Sequence, residues 1–146
     1  MTFKIRDAKL SDAPALAALM CELGYQTTTT EMRQRLKSIL SDAHYRTFVA
    51  AIEGQVCGMI GTFALPSYEH NDLSGRILVL VTSSTSRRGG IGRALIAAAE
   101  GDFARRGVSR IAVNTRLSRQ DAQKFYEALG YERNGWRFVK QLPVSE

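Results

Sequence analysis

Arg87-Arg88-Gly89-Gly90-Ile91-Gly92 is the stretch of this chain best suited to bind a charged group. Its glycines let the backbone come close to an anion and turn several N–H groups toward it. Its arginines offer forked cationic contacts that match phosphate oxygens. They belong to a wider asymmetry. Residues 87–119 hold eight arginines, no lysine, and only Glu100 and Asp102 as acids, while 1–86 and 120–146 are each balanced, so the net charge of +6 lies in this one segment. Such a segment is an electrostatic footprint for an anion. A solvated helix face suffices to explain Arg105, Arg106 and Arg110. Arg87, Arg88 and Arg93 border the glycine turn and point to a diphosphate or a similar anion.

The elements around the turn strengthen this reading. Ile77 to Val81 is a continuous apolar run, expected to be a strand buried on both faces. Thr82-Ser83-Ser84-Thr85-Ser86 leads from it into the turn. Ile91, Leu95, Ala98, Ala99 and Phe103 then recur at helical spacing, with Gly107 as the stop. A helix N-terminus after a strand presents free N–H groups and a positive dipole end. The spacing fits neither the phosphate loop Gly-x-x-x-x-Gly-Lys-Ser/Thr nor the dinucleotide fingerprint Gly-x-Gly-x-x-Gly. It reads Arg-x-x-Gly-x-Gly.

The rest of the chain supplies a frame. Phe3 to Arg6 alternates like a strand. Ser11 or Asp12 caps a helix carrying Leu16, Leu19, Met20 and Leu23, which ends at Gly24. Glu31 to Leu40 is a second helix. Phe48–Ile52 and Val56–Phe63 are strands joined at Glu53-Gly54-Gln55. Ser67 to Ser74 is a loop, and Ile111 to Val113 a short buried strand. Ser118 with Asp121 caps a helix bearing Ala122, Phe125 and Leu129, of which Phe125 fits the core better than Tyr126. Tyr131–Arg133 and Trp136–Gln141 form a closing hairpin about Asn134-Gly135. The expected order is β-α-α-β-β-β-α-β-α-β-β, an α/β single domain over 1–146.

These features resemble the GNAT superfamily of N-acetyltransferases. Arg87 to Gly92 matches its pyrophosphate signature, Gln/Arg-x-x-Gly-x-Gly/Ala. Ala122 to Tyr131 is similar to its second signature, Ala-x-x-Phe/Leu-Tyr-x-x-x-Gly-Phe/Tyr. The element order agrees to about residue 142, which implies a mixed, mostly antiparallel sheet of about seven strands with four helices. Within the superfamily, the tail Gly130-Tyr131-Glu132 with Arg137, Phe138, Lys140 and Leu142 is similar to small-molecule enzymes of the aminoalkylphosphonate type.

The resemblance implies acetyl-CoA as co-substrate and direct acetyl transfer to a primary amine in a ternary complex. Arg87, Arg88, Gly89, Gly90, Gly92 and Arg93 would bind its pyrophosphate. Leu80, Val81 and Thr82 would pair with the pantetheine arm as with an added strand. A backbone N–H near Leu80 would meet the oxyanion, and Asn114 would contact the arm or the substrate. Tyr126 would protonate the departing thiolate. With a tyrosine near pKa 10 and a thiol near 8.5, that transfer is uphill by about 2 kcal/mol. Relatives often carry Glu where Val79 stands. Glu69, His70 and Asp72 in the loop, and Arg119 at the start of the last helix, are therefore the candidates for the substrate side.

Other residues invite plainer readings. Cys21 and Cys57 lie in apolar stretches and are expected to be reduced core thiols, and His44 a surface residue. Two histidines and two cysteines without ligand spacing suggest no metal. No apolar run approaches the length of a membrane span and no leader-like segment is present, so a cytoplasmic protein is expected. No nucleic-acid-binding signature accompanies the basic segment. The alternatives are a protein lysine or N-terminal amine as acceptor, and a non-catalytic acetyl-CoA sensor. A homodimer is left open.

Overall fold

The computed structural model describes residues 2–87, 89–114 and 120–144. The chain divides into two compact units, Met1–Val113 and Asn114–Glu146.

The first unit is a sheet with helices on both faces. Its strands are β1 (Lys4–Asp7), β2 (Tyr45–Ile52), β3 (Gln55–Pro66), β4 (Leu73–Thr82) and β5 (Val108–Val113), in the order β1-β2-β3-β4-β5. The first four run antiparallel to their neighbours, and β5 lies parallel to β4. A parallel neighbour requires a crossover, which α3 (Ile91–Arg105) supplies. The β2–β3 hairpin forms where Glu53-Gly54 was expected to turn. Both residues have positive φ, 50° and 80°, as a type I′ turn demands.

Helices α1 (Ala13–Leu23) and α2 (Thr29–Leu40) cover one face. Leu16, Leu19, Met32 and Leu36 pack there on Val49, Met59 and Val81. Gly24, at φ 110°, ends α1. Asp12 stands at its start without capping it. Its carboxylate instead takes two bonds of 2.9 Å from the Arg6 guanidinium and one of 2.8 Å from the Lys9 N–H, tying β1 to the helix. Thr28 and Glu31 form a reciprocal capping box at 3.1 and 2.9 Å, which starts α2 two residues before the expected Glu31.

Helix α3 covers the other face. Its first turn approaches β3 closely because Gly58 has no side chain: a Cβ there would lie 3.1 Å from Ile91 Cγ2. Buried Asp102 anchors its far end through Arg46 at 3.0 Å, and Arg46 also reaches Asp7 at 2.6 Å.

In the second unit α4 (Gln120–Ala128) ends near Gly130, φ 93°. Ser118, its expected cap, lies outside the described residues. Tyr126 is the buried residue of this helix, at 8% exposure, and Phe125 is only half-buried, reversing the expected assignment.

Four further expectations are corrected. Among the described residues the sheet has five strands, not seven. Tyr131–Arg133 and Trp136–Gln141 carry no strand, and Trp136 and Phe138 are 82% and 91% exposed. Neither Asn134 nor Gly135 has the positive φ that formed the Glu53-Gly54 turn. Strand β4 is not buried on both faces, since Leu78 is 56% exposed. Strand β5 is half-open because it ends the described sheet, and Ala112 is exposed. Cys57 is buried, but Cys21 is exposed, its thiol 3.5 Å from the Thr27 carbonyl. No helix among the described residues is long and apolar enough to cross a membrane.

Candidate active site

The site begins with an irregularity in β4. Ile77 pairs with Thr62 and Val79 with Gly61, so Leu78 is an extra residue that β3 does not match. This is a β-bulge, which bends a strand and increases its twist. The β4–β5 ladder also ends here, its last pair being Ile77 with Val113. From Leu78 to Thr82, β4 therefore has no partner on the β5 side among the described residues.

One hydrogen bond shows which groups face that open edge. The Ser83 N–H donates to the Cys57 carbonyl at 2.7 Å, so Ser83 points toward β3. Opposed residues in an antiparallel pair alternate between bonded and non-bonded positions. By that alternation Val79 and Val81 also point to β3, and the N–H and C=O groups of Leu80 and Thr82 face the open edge. The expected pairing role of Val81 is thus corrected. Its backbone serves the β3 ladder and its side chain is buried in the core.

Beyond Thr82 the chain makes one 3-10 turn, Ser84–Ser86, and enters the glycine turn. Gly90 precedes α3 with φ 80°, where a β-carbon would be strained, and no side chain caps the helix. Among the described residues, the N–H groups of Gly89, Gly90, Ile91, Gly92 and Arg93 have no protein acceptor. A helix of this length leaves its first N–H groups and its positive dipole end for an external anion. Arg87 and Arg93 are exposed beside them, and the Arg87 Nε donates to the Thr82 carbonyl at 3.4 Å. Arg88 lies outside the described residues.

Sequence reasoning missed Glu22. Its Oε1 accepts the Ser84 N–H at 2.8 Å, joining the end of α1 to the turn. That N–H first, and the charge of Arg87 after it, hold the Glu22 carboxyl below its ordinary range. A signal existed. An acid in the last turn of a helix opposes the dipole, so a local rule was broken in an otherwise apolar segment.

The loop candidates fall elsewhere. Glu69 and His70 are exposed, and their N–H groups bond Ser67 Oγ at 3.0 and 3.2 Å. The loop precedes Leu73, at the opposite end of β4 from Thr82, about 30 Å away for an extended strand of this length. Asp72 is engaged by the Arg110 guanidinium at 2.7 Å and by the Ser109 hydroxyl. Those partners, Ser109 first, lower its carboxyl to about 2. Asn114 follows β5 directly and is exposed. Arg119 lies outside the described residues.

Tyr126 is held edge-on by Phe125 at 5.3 Å and Tyr131 at 5.6 Å between ring centroids. Burial pushes its phenol up to about 12, so it is a protonated donor at any working pH. The same burial raises the cost of using it. Transfer to a thiolate of pKa near 8.5 becomes uphill by about 5 kcal/mol rather than 2.

The Acetyltransferase (GNAT) family profile matches residues 13–131, running through both units. The aminoalkylphosphonate N-acetyltransferase of Salmonella typhimurium is 31% identical over 95% of this chain and 91% of its own length. A GNAT family acetyltransferase from Staphylococcus aureus superposes with a TM-score of 0.83 at 29% identity, covering 97% of this chain and 100% of the other. A Bacillus halodurans protein described as a transcriptional regulator shares the fold, with a TM-score of 0.90 at 22% identity over 97% of this chain and 100% of its own. The chain belongs to the GNAT family of acetyltransferases. It is an acetyl-CoA-dependent transferase.

Proposed function

We propose that the chain transfers the acetyl group of acetyl-CoA to a primary amine of a small molecule, by direct attack in a ternary complex, and that the whole of 1–146 works as one transferase. The observation that carries this reading is the coincidence of the Leu78 bulge with the end of the β4–β5 ladder, close before an uncapped helix N-terminus. A strand edge where Leu80 and Thr82 have no strand partner among the described residues suits the amides of a pantetheine arm. The turn and α3 suit a diphosphate, with Arg87, Arg88, Gly89, Gly90, Gly92 and Arg93 as its contacts.

In this reading Leu80 and Thr82 pair with the arm. The Leu80 N–H, fixed on a rigid strand, receives the negative charge that develops on the acetyl oxygen as the amine attacks. Asn114 contacts the arm or the substrate. The C–S bond then breaks and Tyr126 gives its proton to the leaving thiolate. Val79 offers no base, so the incoming ammonium gives up one proton to water before it attacks, and the second proton, released from nitrogen as the amide forms, returns through water to the Tyr126 phenolate. The aminoalkylphosphonate-acting relative supports a small-molecule acceptor.

Initial rates with acetyl-CoA and a panel of primary amines, read as CoA release, test the proposal. Intersecting double-reciprocal lines are expected. Parallel lines would mean a covalent acetyl-enzyme and overturn direct transfer.

A further inference from the structure

We infer that Arg76 is the residue that selects the acceptor, by holding an anionic group borne by the amine. This rests on the acyl-transfer reading above. Arg76 lies on β4 two residues before the bulge. Its register partners are Phe63 on β3 and Ala112 on β5, and Phe63 is in turn opposite Tyr45 on β2. Directly opposed residues share a face, so Tyr45, Phe63, Arg76 and Ala112 form one row across the sheet. The row lies on the α1/α2 face, because Phe63 is in phase along β3 with Met59, a member of that core. Arg76 remains exposed there, beside an alanine too small to cover it.

Its lack of a partner sets Arg76 apart. Arg6, Arg46 and Arg110, the other arginines on the strands, each hold a carboxylate, at 2.9, 2.6 and 2.7 Å. Among the described residues Arg76 has neither an ion pair nor a side-chain hydrogen bond. An arginine kept out of the sheet's charge pairing, at the mouth of the open edge, is placed to fork onto a phosphonate, phosphate or carboxylate.

Beside it the face of the sheet is filled by the Val79 side chain. Gly61 stands opposite Val79 on the same face, where a Cβ would come within 2.9 Å of Val79 Cγ1. Four residues of strand separate Arg76 from Leu80, about 13 Å in extended chain. An arginine side chain and a short bifunctional amine together span that gap, which puts the nitrogen toward Leu80 and the anion on the guanidinium. The same cation repels polycationic amines, so selection acts in both directions.

The test compares the whole chain with Arg76→Gln and Arg76→Lys on three amines of similar size. These are 2-aminoethylphosphonate, β-alanine and 2-methoxyethylamine, whose far end is a neutral ether in place of an anion. Melting curves and calorimetric titration with acetyl-CoA accompany the kinetics. Arg76→Gln is expected to lower kcat/KM for the two anionic amines by about 30-fold, the size of a lost charge-assisted hydrogen bond, mostly through KM. The ether amine and acetyl-CoA affinity should stay within about twofold, and Arg76→Lys should recover part of the loss, because it keeps the charge without the fork. The two anionic amines separate phosphonate from carboxylate as the natural group. An equal loss on all three amines, no loss on any, or a wild-type preference for the ether amine each overturns the role. If acetyl-CoA binds but no anionic amine turns over, this inference falls and the cofactor reading stands. If acetyl-CoA does not bind, both fall.

Discussion

Ile77 closes the β4–β5 ladder opposite Val113, and the residue after it, Leu78, is the one that β3 leaves unmatched. The bulge and the opening of the sheet are one event in the chain. It converts an internal strand into one with a usable edge, with Leu80 and Thr82 facing outward.

Proline substitution separates the two edges of β4. Leu80→Pro removes an N–H that no described strand uses, so the fold should survive with a smaller loss of stability than Val81→Pro causes. Turnover should fall by about a hundredfold or more, the usual effect of removing an oxyanion donor. Val81→Pro removes an N–H bonded to β3 and should lower the melting temperature sharply. Equal destabilisation by both variants would refute the alternation deduced from Ser83.

Gly90→Ala forces a β-carbon into φ 80°. A cost of about 1–2 kcal/mol is expected, together with weaker acetyl-CoA binding as the turn relaxes. Thermal unfolding and titration calorimetry read the two effects. Unchanged affinity would remove the turn from the cofactor site.

Tyr126→Phe should cut turnover while leaving acetyl-CoA affinity nearly intact. Because the phenol is raised to about 12, no loss of activity from its ionisation should occur below about pH 10. The sign for stability follows. Between about pH 10 and 12 the unfolded chain releases a proton that the folded one keeps, so this contribution is whole below 10 and fades as pH rises. In pH-dependent denaturation, the wild type should lose its difference from Tyr126→Phe in that window. A phenol titrating near 10 in the folded protein would contradict this.

Asp72 is lowered to about 2 by Ser109 and Arg110. Its stabilising effect is full above the ordinary carboxylate range near pH 4 and is lost as pH falls toward 2. Asp72→Asn should flatten that part of the acid limb and leave CoA release within about twofold of wild type. A large loss of turnover would return Asp72 to the substrate side.

Glu22→Gln keeps an acceptor for the Ser84 N–H but removes a negative charge beside Arg87. Acetyl-CoA should bind a few-fold more tightly, the small effect of an exposed charge. Glu22→Ala, which also unties α1 from the turn, should bind more weakly than Glu22→Gln. Identical affinities for the two variants would show that the tether has no effect.

Much of the frame was legible because local rules acted alone. Gly24 stopped α1, Glu53-Gly54 turned the β2–β3 hairpin, and Ile91 to Phe103 gave α3 through their helical spacing. Asn134-Gly135 carries an equally strong turn signal, yet no hairpin forms, since an isolated pair of strands is marginal without further packing. The Leu78 bulge was illegible. Ile77 to Val81 is uniformly apolar, and register is decided by the partner strand rather than by composition. Helical spacing alone did not decide which of Phe125 and Tyr126 would be buried. Glu69, His70 and Asp72 had suitable chemistry, but only the strand register shows that they sit at the far end of β4.

Amide hydrogen exchange at Leu80 and Thr82, measured with and without saturating acetyl-CoA, tests the open edge most directly. Both amides should exchange readily in the free protein and become protected on binding, while Val81 is protected throughout. Protection of Leu80 and Thr82 in the free protein, or no change with acetyl-CoA bound, would contradict the account.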